Sequence, residues 1–260
     1  DGSLLSYRLD GRDLSSSALQ PNFWKVPNDN QYRNQYENRL GPWRTAADNR
    51  QVNSVTASIE GGQAVVDVQA VLPVGKSKYN VTYTVDPDGH ITVVCDYQPG
   101  EGKLPLLPKF GMTLEMPRQF SQLRWYGRGP QETYRVRKTG GEIGIYQQAV
   151  KEMVFPYIRS QDNGNRSDVR WFQLCNDAGV GLRFASKTLF NFAAWPYRAA
   201  DLEKATHNYQ LPTRETTTVN VYLQLHGVGG DNSWGARTHS EYTLPGDKPY
   251  RFSFVLSPVR

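Results

Sequence analysis

Apolar and polar residues alternate with a period of two along most of this chain. Val66, Val68 and Ala70 alternate with Asp67, Gln69 and Val71, and Tyr79, Val81, Tyr83 and Val85 alternate with Asn80, Thr82 and Thr84. Alternation of this kind puts successive side chains on opposite faces of a strand. Asp86-Pro87-Asp88-Gly89 reads as a turn, and Ile91 to Tyr97 returns as the partner strand of a hairpin. The same pattern predicts strands over Lys109–Glu115, Leu123–Tyr126, Asp168–Asn176, Gly179–Ser186, Thr217–His226 and Pro249–Ser257. One helix is predicted over Ala200–His207, with Asp201 as its cap, and a further helical turn over Arg33–Arg39. Many strands and little helix predict an all-β protein built as two large packed sheets, mostly antiparallel. Glu101–Pro108 reads as a crossing between the sheets.

Composition supports this class. Tyr 15, Phe 10 and Trp 6 outweigh Met 3, and Gly 23 with Pro 16 supply turns. The 260 residues suffice for one large β domain or two smaller ones, and no change in composition forces a boundary. The net charge of +5 comes from scattered residues, which argues against nucleic acid as a partner. No apolar stretch approaches the ~20 residues of a membrane span. Cys95 and Cys175 each fall in a strand-like run and read as two buried thiols, with a disulfide as the alternative. The chain opens at Asp1-Gly2-Ser3 without an initiator Met, as an excised piece or a mature fragment would.

The most informative stretch is Gly227-Val228-Gly229-Gly230-Asp231-Asn232-Ser233-Trp234-Gly235. Its glycines mark backbone that takes positive φ or packs closely against a neighbour. Asp231, Asn232 and Ser233 are turn formers, and Trp234 follows them with no apolar neighbour. A rigid aromatic plate at a loop tip can stack on a sugar ring or fill a partner's pocket, and it can equally fold back over the core.

Three other constellations carry polar chemistry. Trp125-Tyr126-Gly127-Arg128-Gly129-Pro130-Gln131-Glu132 runs a strand into a turn that an Arg128–Glu132 pair would brace. Pro156 to Trp171 crowds together Arg159, Gln161, Asp162, Asn163, Asn165, Arg166 and Asp168. Such groups match sugar hydroxyls, and they also match one another across a buried loop. Asn22 to Arg33 reads as an aromatic pair entering a polar loop, either mobile over a site or a solvated connection. On the strand Thr217–His226, Asn220, Tyr222, Gln224 and His226 share one face, which is either a concave carbohydrate-binding face or a solvated outer one. His90, His207, His226 and His239 show no metal-ligand spacing, so no metal site is predicted. No nucleophile elbow, phosphate loop or acid–nucleophile pair can be assigned.

Taken together these blocks resemble the C-terminal domain of family 2 β-galactosidases, also called the β-galactosidase small-chain domain. The resemblance is carried in order by Phe23-Trp24 through Pro27 to Asp29-Asn30; by Trp125 to Pro130 with Glu132 and Tyr134; by Asn163-Gly164-Asn165-Arg166 with Arg170-Trp171; and by Gly229 to Trp234 with His239 and Tyr242. It implies a β-supersandwich similar to galactose mutarotase over residues 1–260, with its first strand clipped. It implies a part of an enzyme that hydrolyses terminal β-galactosides, reaching the site of a TIM barrel that carries the catalytic glutamates. The galactoside would contact Trp234, with Asp231, Asn232, Asp29 and Asn30 around it, and no catalytic residue would lie in this chain. No cofactor is implied here; Mg and Na would belong to the parent's other domains. Partners would be those domains, the substrate and further copies of the parent, in the periplasm or cytoplasm of a bacterium. The family loop often reads Asp-Asn-Asp followed by a glycine; Asp29-Asn30-Gln31-Tyr32-Arg33 lacks it, which puts a glycine-hinged motion in question. Two alternatives stand beside this reading: a free-standing galactoside-binding module, and an aldose mutarotase using His226 or His207.

Overall fold

A computed structural model describes all residues, Asp1–Arg260. It is an antiparallel β structure of fourteen strands with three short α-helices. The chain begins with a two-stranded ribbon, β1 (Arg8–Leu9) and β2 (Arg12–Asp13), then β3 (Gln20–Asn22) and two helices, α1 (Asp29–Arg33) and α2 (Tyr36–Leu40). A meander follows: β4 (Gln51–Glu60), β5 (Gln63–Val71), β6 (Lys78–Val85) and β7 (Ile91–Gln98). Next come β8 (Lys109–Pro117), β9 (Gln122–Gly129), β10 (Glu142–Ala149), β11 (Arg166–Cys175) and the long β12 (Gly181–Trp195). Helix α3 (Ala199–Lys204) leads to β13 (Thr216–Leu225) and β14 (Tyr250–Val259). No helix is long and apolar enough to cross a membrane.

The predicted hairpin forms as read. Gly89 takes φ 83° at the turn, and β6 pairs with β7 in register from Lys78↔Gln98 to Val85↔Ile91. Strands β4 and β10 escaped prediction. Both lie at free edges of the sheet and contain no buried residue, so neither carries a buried apolar stripe.

The two expected sheets are joined. Twelve strands form one hydrogen-bonded network, with the order β10-β9-β11-β12-β14-β7-β6-β5-β4 along its main path. The fork is at β12. Its first part, Gly181–Ala185, pairs with β14, and its last part, Asn191–Trp195, pairs with β13. Beyond β13 lie β8 and then β3. The two arms fold over a core of 41 buried residues. Rings close the gap between arms: Phe23 meets Tyr79 at 5.2 Å and Phe110 meets Tyr97 at 6.3 Å. Phe172 is stacked between Phe184 at 4.5 Å and Phe192 at 4.2 Å. Burying a ring of that size contributes about 1.5–3 kcal/mol. Cys95 and Cys175 are both buried free thiols.

Two helix expectations need correction. Residues Asp29 to Arg33, read as loop, form α1, and the turn expected over Arg33–Arg39 breaks at Gln35, which takes φ 57°. Asp201 does not cap α3 from outside. It is the third residue of that helix, where its carboxylate accepts from Arg198 N at 2.9 Å and pairs with Arg214.

Candidate functional site: the Trp234 rim

β13 delivers the chain to the Trp234 loop at a fixed point. His226 N donates to Pro108 O at 2.9 Å and Gly227 N to Tyr242 O at 2.9 Å. A Cβ on Gly227 would lie 2.7 Å from Val136 Cγ1 and 3.1 Å from Tyr242 Cβ, so close packing demands glycine there. Gly229 and Gly230 do not take positive φ, contrary to one expectation; Gly235 does, at 110°. Gly230 is needed for a different reason: a Cβ would lie 2.4 Å from Ala236 O. At Gly229 the nearest atom is 3.9 Å away. Asn232 Oδ1 accepts from Trp234 N at 2.9 Å and from Ala236 N at 3.3 Å, which closes the turn. Asp231 Oδ1 lies 2.7 Å from His239 Nε2, and this contact raises the pKa of His239. The indole of Trp234 is 80% exposed, with the Arg33 guanidinium 5.7 Å from its ring.

Helix α1 clamps this loop. Its start is set by a capping box in which Asn28 accepts from Gln31 N at 3.0 Å and donates its own N–H to Gln31 Oε1 at 3.1 Å. The same side chains reach across to the loop. Asn28 Nδ2 donates to Val228 O at 2.6 Å, and Gln31 Nε2 to Gly227 O at 3.1 Å. Asn30 donates to Ala236 O at 3.2 Å and accepts from Gly235 N at 3.2 Å. Of the predicted site residues, Trp234, Asp231, Asn232 and Asn30 therefore come together. Asp29 faces the other flank, 3.2 Å from Gln161 Nε2 and 3.9 Å from Arg159 Nε.

Beneath the rim lies a buried polar floor. The crowded segment after Pro156 turns inward: residues 160–167 are all buried and bond one another and their neighbours. Asn163 Nδ2 donates to Tyr197 Oη at 3.0 Å, and Trp195 Nε1 to Asn163 O at 2.8 Å. Asn165 Nδ2 donates to Thr133 O at 2.6 Å. This is the bracing alternative of the two read from the sequence. The Arg128–Glu132 brace is replaced by two others. Arg128 Nε donates to Asp168 Oδ2 at 2.5 Å, while Glu132 accepts from Gly164 N at 2.8 Å and Arg137 Nη2 at 2.6 Å.

Sequence reasoning missed two charges in this floor. Lys25 is buried and donates to Gln31 Oε1 at 2.6 Å and Val26 O at 2.9 Å. Lys109 is buried with its ammonium 4.9 Å from the Tyr222 ring and 5.7 Å from that of Trp195. Burial pushes both ammonium groups down to about 8. Asp162 accompanies them, accepting from Tyr134 Oη at 2.9 Å. The available signal was a lone lysine inside each apolar run, Phe23-Trp24-Lys25-Val26-Pro27 and Leu106-Leu107-Pro108-Lys109-Phe110. The polar face of β13 is neither an open carbohydrate face nor a solvated one, because Asn220, Tyr222 and His226 are all buried. His226 meets the Tyr36 ring edge-on at 5.6 Å, and burial pushes its pKa down to about 4. His207 is exposed and stacks on Tyr209.

Fold and rim together define an all-β scaffold that carries one exposed indole at its edge, on a loop tied to α1 by side-chain hydrogen bonds. The chain matches the family described as "Beta galactosidase small chain" over residues 1–256, and it belongs to that family. It is 37% identical over 258 residues to a protein of Priestia megaterium named "Beta-galactosidase", covering 99% of this chain but 25% of that relative. It is 28% identical over 284 aligned positions to a "Beta-galactosidase small subunit" of Latilactobacillus sakei, covering 97% of this chain and 88% of that one. Among solved structures it is similar to a putative aldose 1-epimerase of Escherichia coli K12, at 10% identity and TM-score 0.40, over 79% of this chain and 68% of the other. A score that low carries no argument.

Proposed function

We propose that this chain is the part of a β-galactosidase that completes its substrate site, with Trp234 as a stacking platform for the galactoside. The observation that carries the reading is an indole left 80% exposed on a loop that Asn30, Asn28 and Gln31 hold to the body. Holding a large apolar ring rigidly in water is unfavourable unless something covers it in use. Asn232 and Asp231 shape the turn, and Asn30 fixes its far side. Asp29 lies on the neighbouring flank and contributes a carboxylate to the rim. The acid and nucleophile of hydrolysis would be supplied by the remainder of the enzyme, since this chain spans only 25% of relatives such as that of Priestia megaterium.

One experiment tests this reading. The chain alone, the complete enzyme and the complete enzyme carrying Trp234→Ala are assayed with a β-galactoside. The chain alone is expected to be inactive, and the substitution to raise KM about tenfold, the factor that 1.4 kcal/mol of lost stacking represents. Thermal stability of the variant should scarcely change. Unchanged kinetics with a large loss of stability would show Trp234 to be structural. Turnover by the purified chain, abolished by mutating one of its own carboxylates, would overturn the division of labour.

A further inference from the structure

The polar face of β13 is closed over most of its length, but toward β3 the sheet is hollowed into a cleft of about 560 Å³, within the size range of small-ligand sites. Cross-strand register lays its floor. Thr218 of β13 pairs with Glu115 of β8, Asn220 pairs with Thr113, and Thr113 pairs in turn with Gln20 of β3. Alternation along β13 sends Val219 and Val221 into the core and turns Thr218 and Asn220 to the cleft. Residues of α3 and of the segment 43–48 line its sides. The cleft shares no residue with α1 or with the Trp234 loop.

Two polar groups on this floor have no partner in the protein, Thr218 Oγ1 and Asn220 Nδ2, although the two residues are only 7% and 1% exposed. A relay fixes which way the Asn220 amide points. Trp24 N donates to Asn22 Oδ1 at 3.1 Å, so Asn22 Nδ2 is left to donate to Asn220 Oδ1 at 2.9 Å. What remains at Asn220 is a donor, and leaving a buried donor unpaired is costly, so the cleft calls for an acceptor. It does not call for an ion. Arg44 and Arg198 are the only cationic side chains lining it, and each is matched: Arg44 Nη2 lies 2.6 Å from Glu203 Oε2, and Arg198 Nε lies 2.6 Å from Glu115 Oε1. An added peptide strand is disfavoured, because Pro21 at the centre of the edge strand β3 removes a ladder N–H. A sugar meets the remaining demands. Each hydroxyl both accepts and donates, the molecule is uncharged, and its C–H face suits the apolar wall that Trp24 provides. We propose that this cleft binds a neutral saccharide, with one hydroxyl oxygen accepting from Asn220 Nδ2 and another paired with Thr218 Oγ1.

The test uses the complete enzyme carrying Ala200→Cys, since Ala200 is exposed on α3 and lines the cleft. The two native thiols of this chain are buried. Maleimide labelling at position 200 is followed by mass spectrometry as galactose, glucose or cellobiose is added. At least one of these sugars is expected to slow labelling, with half-protection on the order of 1–10 mM, the affinity that a few hydrogen bonds supply. Thr218→Val should raise that concentration about tenfold, the factor that 1.4 kcal/mol represents. Thr218→Ser, which keeps the hydroxyl, should not move it, and neither should Trp234→Ala. Should Thr218→Val fail to assemble, Asn220→Asp, which keeps the acceptor for Asn22 and removes the donor, gives the same comparison. Four results would overturn the proposal: no protection by any of the sugars at about 100 mM, where millimolar binding would be saturated; protection that Thr218→Val and Asn220→Asp leave untouched or that Trp234→Ala shifts; protection by inorganic phosphate or a neutral tetrapeptide in place of sugar; and a position 200 that maleimide cannot reach without sugar, because the rest of the enzyme would then cover the cleft.

Discussion

Gly229 and Gly230 are adjacent and identical, yet the structure asks different things of them. A methyl group on Gly229 makes only an ordinary contact with Val136 at 3.9 Å, whereas on Gly230 it meets the Ala236 carbonyl at 2.4 Å. Gly230→Ala is therefore expected to push the two limbs of the Trp234 loop apart at about 1–3 kcal/mol, the range of overpacking a closed site. Gly229→Ala should be nearly neutral. Thermal denaturation of both variants checks this, and equal losses would count against the close approach as the reason for glycine. Sequence could flag the glycines but not separate them, because the atom that decides is on the returning limb. Trp234 was only half legible: its local neighbours offer nothing apolar to bury it, yet the sequence left a ring folded back over the core equally open, and the structure decides for exposure. Arg128 shows the limit of local reading. Glu132 is its obvious partner along the chain, but the β11 bulge brings Asp168 closer.

Helix α1 and the edge strands show what decides legibility for elements. The Asn28–Gln31 capping box was present in the sequence, but a run of Asn, Asp and Gln reads as loop until its side chains are known to have partners in the 227–236 loop. Strands β4 and β10 carry no buried stripe, so periodicity had nothing to detect. The junction of α2 with the end of β13 carries a pH consequence. Burial holds His226 neutral, helped by the nearby charges of Lys25 and Arg39, with a folded-state pKa of about 4 against 6.5 when unfolded. The unfolded chain binds this proton first. Stability from the site is thus fully present above pH 6.5 and is lost as pH falls toward 4, by up to about 3 kcal/mol. Denaturation of the wild type and of His226→Gln between pH 7 and pH 4 checks the sign. The variant should lose less stability over that interval, and parallel curves would mean that His226 titrates freely in the folded chain.

For the molecule as a whole, the period of two was enough to reach an all-β class, because alternation is a local property that survives in every half-buried strand. The joining of the sheets was not legible. β12 partners β14 with its first part and β13 with its last, and such pairings depend on residues far away along the chain. Only the exposed middle of β12, Lys187 to Leu189, hints in sequence at a strand passing from one neighbour to another. That shared strand has a mechanical consequence. Neither arm can peel away without stripping hydrogen bonds from the strand the other depends on, so β12 acts as a tie beam and the arms share one threshold of failure. In native-state hydrogen exchange, the amides of β13 and β14 that bond to β12 should open with the same free energy. Two well-separated levels would mean that the beam carries no load between them.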